Sequence, residues 1–350
     1  MSVLEKKDTP LVSIIIPAYN SQLHIERCLD SCLRQTYLNT EILVVNDGST
    51  DNTRKILEEY QKEHKNLIVL DKENGGQGAA RNLAMRHASG KFVLFVDSDD
   101  AIVDFCLEAM VAKASSTGSD IAICDWVIIG KDGKQVGFSN YHLDINSEIL
   151  SEESIKRLLG RVYFSVARLY KKEFIEESEI GFGEGYIYED MEVVVGSLVR
   201  ARRICYVGYP LYKIFANTES TTKVNYESDR HAVGFSHALK NTLDKYQDDL
   251  EKYAATFIRY ISIRAFVYTY TQKRIPPKLW PTFIGSVLKE LSVLSEGQSF
   301  KKLGLKYRVP IKLRKYSSQL SVVIFFLVHW VNKETSAWRG YHKLKKKLKM

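Results

Sequence analysis

Along the first hundred residues the apolar positions switch repeatedly between two spacings. Residues 11–16 form a short apolar run holding three consecutive isoleucines, Ile14 to Ile16, as expected of a β-strand covered on both faces. Ile25, Cys28, Leu29, Cys32 and Leu33 then recur at i, i+3, i+4, i+7 and i+8, the stripe of one helix over 21–36. The alternation continues with a strand over 42–45, a helix over 53–64, a strand over 67–70, a helix over 77–88 and a strand over 92–96. Strands separated by helices of this length need crossover connections, so the pattern predicts an α/β fold whose sheet is mostly parallel and flanked by helices. A helix over 101–113 follows, with Asp100 placed to cap it.

From about residue 120 the pattern loosens. Residues 121–124 and 126–129 read as strand, 131–134 as a turn, 151–159 as a capped helix, 190–202 as a helix and 204–207 as a strand. Beyond residue 225 the chain reads as mainly helical, over 229–246, 253–272 and 281–294, with a break at Pro276-Pro277.

Polar residues gather where strands give way to helices: Tyr19-Asn20, Asn46-Asp47-Gly48-Ser49, Asn74-Gly75-Gly76 and Asp97-Ser98-Asp99-Asp100. In an open parallel sheet these positions share the carboxyl edge, where ligands bind. Asp97 and Asp99 leave a buried strand two residues apart, and a turn there brings both carboxylates towards one hard cation of the kind that bridges protein to phosphate. The competing reading of these acids is helix capping, and the second half of the 46–51 motif has the same explanation. Asn46 and Asp47 lie before the glycine at the strand tip, where capping does not account for them. Residues 76–81 (GQGAAR) nearly reproduce a dinucleotide fingerprint. Arg81 stands where the third glycine belongs, and on the first turn of a helix it suits a phosphate. Glu189-Asp190 follows the glycine-rich stretch 181–185 (GFGEG), which fits a mobile rim, although acidic capping also explains the pair.

Charge changes the picture at the carboxyl end. The net charge of +8 is uneven: residues 301–350 carry fourteen Lys/Arg against Glu334, a net of +13, so the first 300 residues sum to 8 − 13 = −5. The apolar run 320–331 is too short to span a bilayer, and aromatic and basic residues flank it. That is the pattern of an in-plane anchor on an anionic inner-leaflet surface, the alternative being a core helix with a solubilising tail. An acidic body beside an apolar run argues against nucleic acid as partner. The charged amino end has no apolar stretch of the secretory kind. Five scattered cysteines suit a reducing compartment, and Cys28 and Cys32 read as core residues. These features predict a cytoplasmic protein, peripheral on the cytoplasmic face of the plasma membrane. Nothing in the sequence sets an oligomeric state.

The order of the motifs 12–20 (VSIIIPAYN), 46–51 (NDGSTD), Asn74 with Arg81-Asn82, and 97–100 (DSDD) resembles glycosyltransferase family 2, with its GT-A, Rossmann-like nucleotide-binding fold. A second block, 168–171 (RLYK), 188–190 (YED), 210–212 (PLY) and 220–222 (STT), is similar to the acceptor half of bacterial polysaccharide-building members. The resemblance implies a GT-A domain over 1–222, with nucleotide-binding half 11–100 and acceptor half 101–222. A helical region over 223–350 would follow, ending in the basic tail.

It also implies roles. Pro17, Ala18, Tyr19 and Asn20 would border the nucleoside of a UDP-sugar donor, Asp47 would bind uracil, and Asn74 and Arg81 would help hold the nucleotide. Asp97 would contact the ribose or base side, with Ser98 and Glu189 also at the nucleotide-sugar. Asp99 would ligate Mn2+ or Mg2+, and Asp190 would be the general base. Lys213 stands where Arg is usual, and Asn46 where Asp is frequent. The function implied is metal-dependent, inverting transfer of a sugar to a hydroxyl of a saccharide, a lipid-linked acceptor or a cell-surface glycopolymer. A sugar nucleotidyltransferase and a non-catalytic membrane-docked scaffold of the same fold are the competing readings.

Overall fold

The computed structural model describes residues 9–139, 143, 149–161, 164–216, 229–271, 275–295, 297–313 and 324–325. The stretch 220–222 and most of the basic tail, including most of the apolar run 320–331, lie outside the described residues.

Among the described residues nine strands form one sheet: β1 (Val12–Ala18), β2 (Thr40–Asp47), β3 (Leu67–Lys72), β4 (Phe92–Phe95), β5 (Ala101–Ile102), β6 (Ile121–Ile129), β7 (Gln135–Phe138), β8 (Arg168–Lys171) and β9 (Ile204–Phe215). Their order is β3-β2-β1-β4-β8-β6-β9-β5, with β7 on β6. The helices are α1 (Ile25–Leu33), α2 (Thr53–Glu63), α3 (Gly76–His87), α4 (Cys106–Thr117), α5 (Glu152–Leu159), α6 (Lys172–Glu177), α7 (Asp190–Arg200), α8 (Arg230–Leu250), α9 (Ala254–Phe266), α10 (Trp280–Leu291), α11 (Gln298–Lys301) and α12 (Leu305–Leu313).

The four strands read from the first hundred residues are parallel to one another, β3-β2-β1-β4. Every residue of β1 and β4 is buried, which is why their sequences are continuous apolar runs with no alternation. The remaining strands make the sheet mixed. β8 runs antiparallel to β4 and to β6, while β9 is parallel to β6. One face of the sheet packs Ile14, Ile16, Ile42, Val44, Leu94, Ala122, Leu169 and Cys205 against Cys28, Leu29 and Cys32 of α1 and Met110 of α4. The two α1 cysteines are therefore core residues, and neither forms a disulfide.

Several boundaries differ from the sequence reading: β6 is one unbroken strand and β9 extends to Phe215, and two further differences bear on the site. α1 starts at Ile25 rather than at 21, and the N–H groups of Ser21 and Gln22 before it are given to Thr53 Oγ1 (2.7 Å) and Asp51 Oδ2 (3.1 Å). No helix begins at Ala101. Ala101 and Ile102 form β5, paired with Lys213 and Tyr212 of β9, and α4 starts only at Cys106. Asp100 therefore does not cap it.

The chain divides into two compact units. The first comprises residues 1–154, 164–185 and 200–217, and contains the whole sheet. The second comprises residues 155–163, 186–199 and 218–350. Residues 155–163 and 186–199, expected in the acceptor half, thus cluster with the helical carboxyl region. Within the second unit α7 and α8 approach closely at Gly196, where a Cβ would stand 2.4 Å from the Tyr246 ring. Phe235 of α8 meets Tyr188, Tyr268 and Phe283 at centroid distances of 5.6, 5.6 and 5.7 Å. The expected break falls at Pro276-Pro277, where Pro276 is extended and a single 3-10 turn opens the way to α10. No helix among the described residues is long and apolar enough to cross a membrane.

Candidate active site

The first unit brings four polar loops to the carboxyl edge of its parallel strands, and each loop is bonded to its neighbour. After β1, Asn20 turns through a left-handed conformation (φ 47°). Its side-chain oxygen accepts the Thr50 N–H at 2.8 Å while its own N–H donates to Ser49 Oγ at 3.1 Å. Asn and Asp tolerate this region better than other residues with a Cβ. Pro17 and Ala18 end the buried strand, and Tyr19 stands half-exposed beside them. Ser21 Oγ reaches Ser98 Oγ at 2.8 Å, so the first loop also touches the acidic turn.

Asp47 is 2% exposed and already well engaged. It accepts from Lys72 Nζ at 2.6 Å, from the Gly75 N–H at 2.9 Å and from the Gly76 N–H at 2.8 Å. Three of the four lone-pair sites of its carboxylate are taken, two of them by the 74–76 loop and one by Lys72 of β3, leaving one direction for a ligand. Asn46 ties β2 to β3 through Asp71 Oδ1 at 2.9 Å and accepts the Ser49 N–H at 3.2 Å. Gly48 (φ 70°) allows the approach of the 74–76 loop, since a Cβ there would meet the Asn74 nitrogen at 2.8 Å.

The acidic turn follows β4. Asp97, Asp99 and Asp100 each offer a carboxylate oxygen within 4.8 Å of the others. Arg81 is 1% exposed, and its Nη2 donates to Asp97 Oδ1 at 2.7 Å. Its guanidinium also lies over the Phe182 ring at 5.1 Å. Its charge is spent on Asp97, so it orients that carboxylate. Asp100, 4% exposed, turns inward, where its Oδ2 accepts from Tyr212 OH (2.9 Å) and its Oδ1 from the Phe215 N–H (3.0 Å). Burial pushes its carboxyl well above the usual range, and the Asp97 and Asp99 charges push the same way. Tyr212 OH in turn accepts the Asp97 N–H at 3.1 Å, and burial raises its own pKa, with the Asp100 and Asp97 charges adding to it. On the other side Arg27 donates to the Asp99 carbonyl and stacks over Phe215 at 3.7 Å. β9 therefore grips the turn through Tyr212 and Phe215. Sequence reading named Tyr212 only as part of a motif and missed Arg27, Lys72 and Phe215, whose signal is purely non-local.

The spacing of the three carboxylates suits a divalent cation. Ligand oxygens sit about 2.0–2.6 Å from such an ion, so two of them stand at most about 4–5 Å apart. Asp100 is committed to Tyr212 and Phe215, and one Asp97 oxygen to Arg81. Asn82 holds the rim. It accepts the Phe182 N–H at 3.0 Å and donates to Phe182 O at 2.9 Å and to Glu184 at 2.7 Å, fixing part of the 181–185 stretch to α3.

Glu189 and Asp190 belong to the second unit. Asp190 opens α7 two residues after Tyr188, whose φ is 75°. The Tyr188 hydroxyl meets His231 Nδ1 at 2.9 Å, and its ring stacks on Tyr268 at 5.5 Å. Tyr186, two residues before, donates to Glu192 and accepts from Asn241 Nδ2 at 2.8 Å. The backbone leading to the paired acids is thus anchored on both sides.

Residues 13–177 match the family model for glycosyl transferase family 2. The Bacillus subtilis (strain 168) protein EpsH is 36% identical over 211 residues, 59% of this chain and 60% of its own length. The poly(ribitol-phosphate) beta-glucosyltransferase of Bacillus spizizenii is 33% identical over 199 residues, 55% of this chain and 30% of its own length. The chain therefore spans less than two thirds of either relative. Among solved structures, S. aureus TarS 1–349 in complex with UDP-GlcNAc superposes with a TM-score of 0.73 at 20% identity, covering 92% of this chain and 91% of that one. Sheet order and family match agree: residues 13–177 of this chain form a glycosyl transferase family 2 domain with the GT-A fold.

Proposed function

We propose that the protein is an inverting, metal-dependent glycosyltransferase that moves a sugar from a UDP-sugar to a hydroxyl of a saccharide, lipid-linked or cell-surface glycopolymer acceptor. The observation that carries this reading is the convergence of the Asp97, Asp99 and Asp100 carboxylates within 4.8 Å at the edge of a family 2 sheet. The UDP-GlcNAc complex of TarS supports the donor class. The polymer acceptor named for the Bacillus spizizenii relative supports the acceptor class.

We assign Mn2+ or Mg2+ to Asp99, with Asp97 beside it. Bound there, the cation would offset the charge gathering on the departing diphosphate. Pro17, Ala18, Tyr19 and Asn20 border the nucleoside, Asp47 offers its remaining lone pair to the uracil N–H, and Asn74 closes the same loop. Arg81 serves the nucleotide by fixing Asp97, while Ser98 and Glu189 complete the donor side. Asp190 acts as general base: it takes the proton of the acceptor hydroxyl as that oxygen attacks the anomeric carbon and the bond to the diphosphate breaks. A single displacement inverts the centre, so an α-linked donor gives a β-linked product. We further propose that the basic tail, residues 301–350, holds the enzyme at the inner leaflet, where a lipid-linked acceptor is presented.

The test is a panel of UDP-sugars scored for metal-dependent UDP release, with and without a lipid-linked acceptor, and product NMR. Asp190→Asn should abolish transfer while UDP binding persists. Normal turnover by that variant moves the base elsewhere, and a retained anomeric configuration overturns the single displacement. Pyrophosphate release from UTP and a sugar phosphate would instead mark a nucleotidyltransferase, and silence with every donor and acceptor a scaffold.

A further inference from the structure

Two arginines lie almost wholly buried in the first unit, and among the described residues only one of them meets a carboxylate. Arg81 meets Asp97. Arg168, the first residue of β8, is 2% exposed, and its Nε and Nη1 are buried without a hydrogen-bond partner among the described residues. A guanidinium stays charged at any physiological pH. Burying it uncompensated is among the costliest arrangements a fold tolerates, so a position like this calls for an anion.

The place of Arg168 says which anion. The antiparallel register that pairs Leu94 with Leu169 carries Arg168 to the level of Phe95, the last residue of β4. Asp97 begins the acidic turn two residues later. Leu169 belongs to the apolar face of the sheet, so Arg168 occupies the opposite face together with Tyr170. On that face Phe95 packs edge-on against Tyr170 (5.7 Å) and Phe182 (4.9 Å), and Phe182 lies beneath Arg81. The backbone entering β8 is strained as well. Ala167, directly before the arginine, adopts φ 58°, a left-handed conformation that costs a residue with a Cβ about 1–2 kcal/mol and tends to persist at functional sites.

We infer that Arg168 is an anion-binding residue that takes a phosphate oxygen of a substrate at the carboxyl edge of the sheet, beside the acidic turn. The inference rests on the sugar-transfer reading and deepens it, giving the first residue of the 168–171 motif a ligand of its own. Two sources share the chemistry: the diphosphate of the nucleotide donor and a phosphate carried by the acceptor. A planar fork of donors suits either, because it binds two phosphate oxygens at once.

The test uses the full chain and the variants Arg168→Met and Arg168→Lys, with calorimetric titration of uridine, UDP and inorganic pyrophosphate in Mn2+ buffer. If the donor diphosphate is the ligand, Arg168→Met binds uridine as the wild type does but UDP about 10–100-fold more weakly. Arg168→Lys should recover part of the loss, and wild-type pyrophosphate binding should vanish once UDP saturates the protein. If the phosphate belongs to the acceptor, pyrophosphate still binds the wild type with UDP present, and Arg168→Met loses that binding alone. Thermal melting supplies an independent reading. Without ligand Arg168→Met should melt at or above the wild type, because an apolar side chain replaces a buried charge. The inference is overturned if UDP and pyrophosphate bind Arg168→Met as they bind the wild type, or if that variant melts well below it with unchanged ligand affinities. Failure of uridine to bind the wild type would instead count against the donor reading itself, which keeps the two failures apart.

Discussion

Replacing Tyr212 by Phe removes one oxygen and leaves two groups of the acidic turn without their partner. The Tyr212 hydroxyl donates to Asp100 Oδ2 at 2.9 Å and accepts the Asp97 N–H at 3.1 Å, and the ring itself is fully buried. Phe fills the same space, so the change isolates the hydrogen bonds from packing. Each buried polar group left unmade costs about 1–3 kcal/mol. Asp97 is partly exposed, which places its share at the low end and the sum at about 2–4 kcal/mol. At about 2–4 °C per kcal/mol for a domain of this size, the melting temperature should fall by roughly 4–16 °C. The same hydroxyl joins the acidic turn to β9, and a displacement of about 1 Å at a reacting centre costs up to about 100-fold in rate. UDP release should therefore drop about tenfold or more in kcat at saturating donor, below the melting transition. The two measurements together decide the matter: a variant that melts within 1 °C of the wild type and turns over normally would show that β9 does not grip the turn, and the Tyr212 argument would fall.

Asp99→Asn should uncouple nucleotide from metal, so that titrating UDP with and without Mn2+ gives the same affinity; a persisting Mn2+ enhancement assigns the ion to other oxygens. Asn82→Ala removes the three bonds that hold Phe182 and Glu184 and should speed hydrogen exchange at the Phe182 amide at least about tenfold; unchanged exchange would mean the rim is held otherwise. Asp51 is kept below the ordinary carboxylate range: burial pushes its pKa up and is the largest single influence, but the hydrogen bonds from Thr53 and Gln22 together outweigh it. A lowered folded pKa contributes stability that is present above about pH 4 and is lost as pH falls through the folded value. Asp51→Asn should therefore lose stability relative to the wild type at neutral pH and converge on it in acid, as followed by melting from pH 7 to pH 2.5; a gap that stays constant with pH would refute the linkage.

The parts of this fold that are legible in the sequence are those set by local rules. β1 and β4 are buried on both faces, so their apolar runs announce them, and the stripe of α1 is the face that packs against the sheet. The loops after β1, β2 and β3 announce themselves too, because glycines and short amides are needed where backbones cross closely, as at Gly48 and Asn20. Asp100 marks where local rules stop. An acid ahead of an apolar stretch is an ordinary helix start, yet the stretch that follows is β5, claimed by β9, and the side chain is claimed by a tyrosine 112 residues away. No window around position 100 contains that partner. The same holds for Arg81 and Arg168. On the sequence one opens a helix and the other opens a strand, and nothing local tells which charge is matched. Only the register of β8 against β4 and the Arg81–Asp97 contact separate them. The acidic turn thus carries three carboxylates with three different neighbourhoods: Asp97 held by an arginine, Asp100 drawn inward by a tyrosine, and Asp99 with its carbonyl fixed by Arg27. A DSDD string is symmetrical enough to hide that division of roles, and the strand that enforces it arrives more than a hundred residues later.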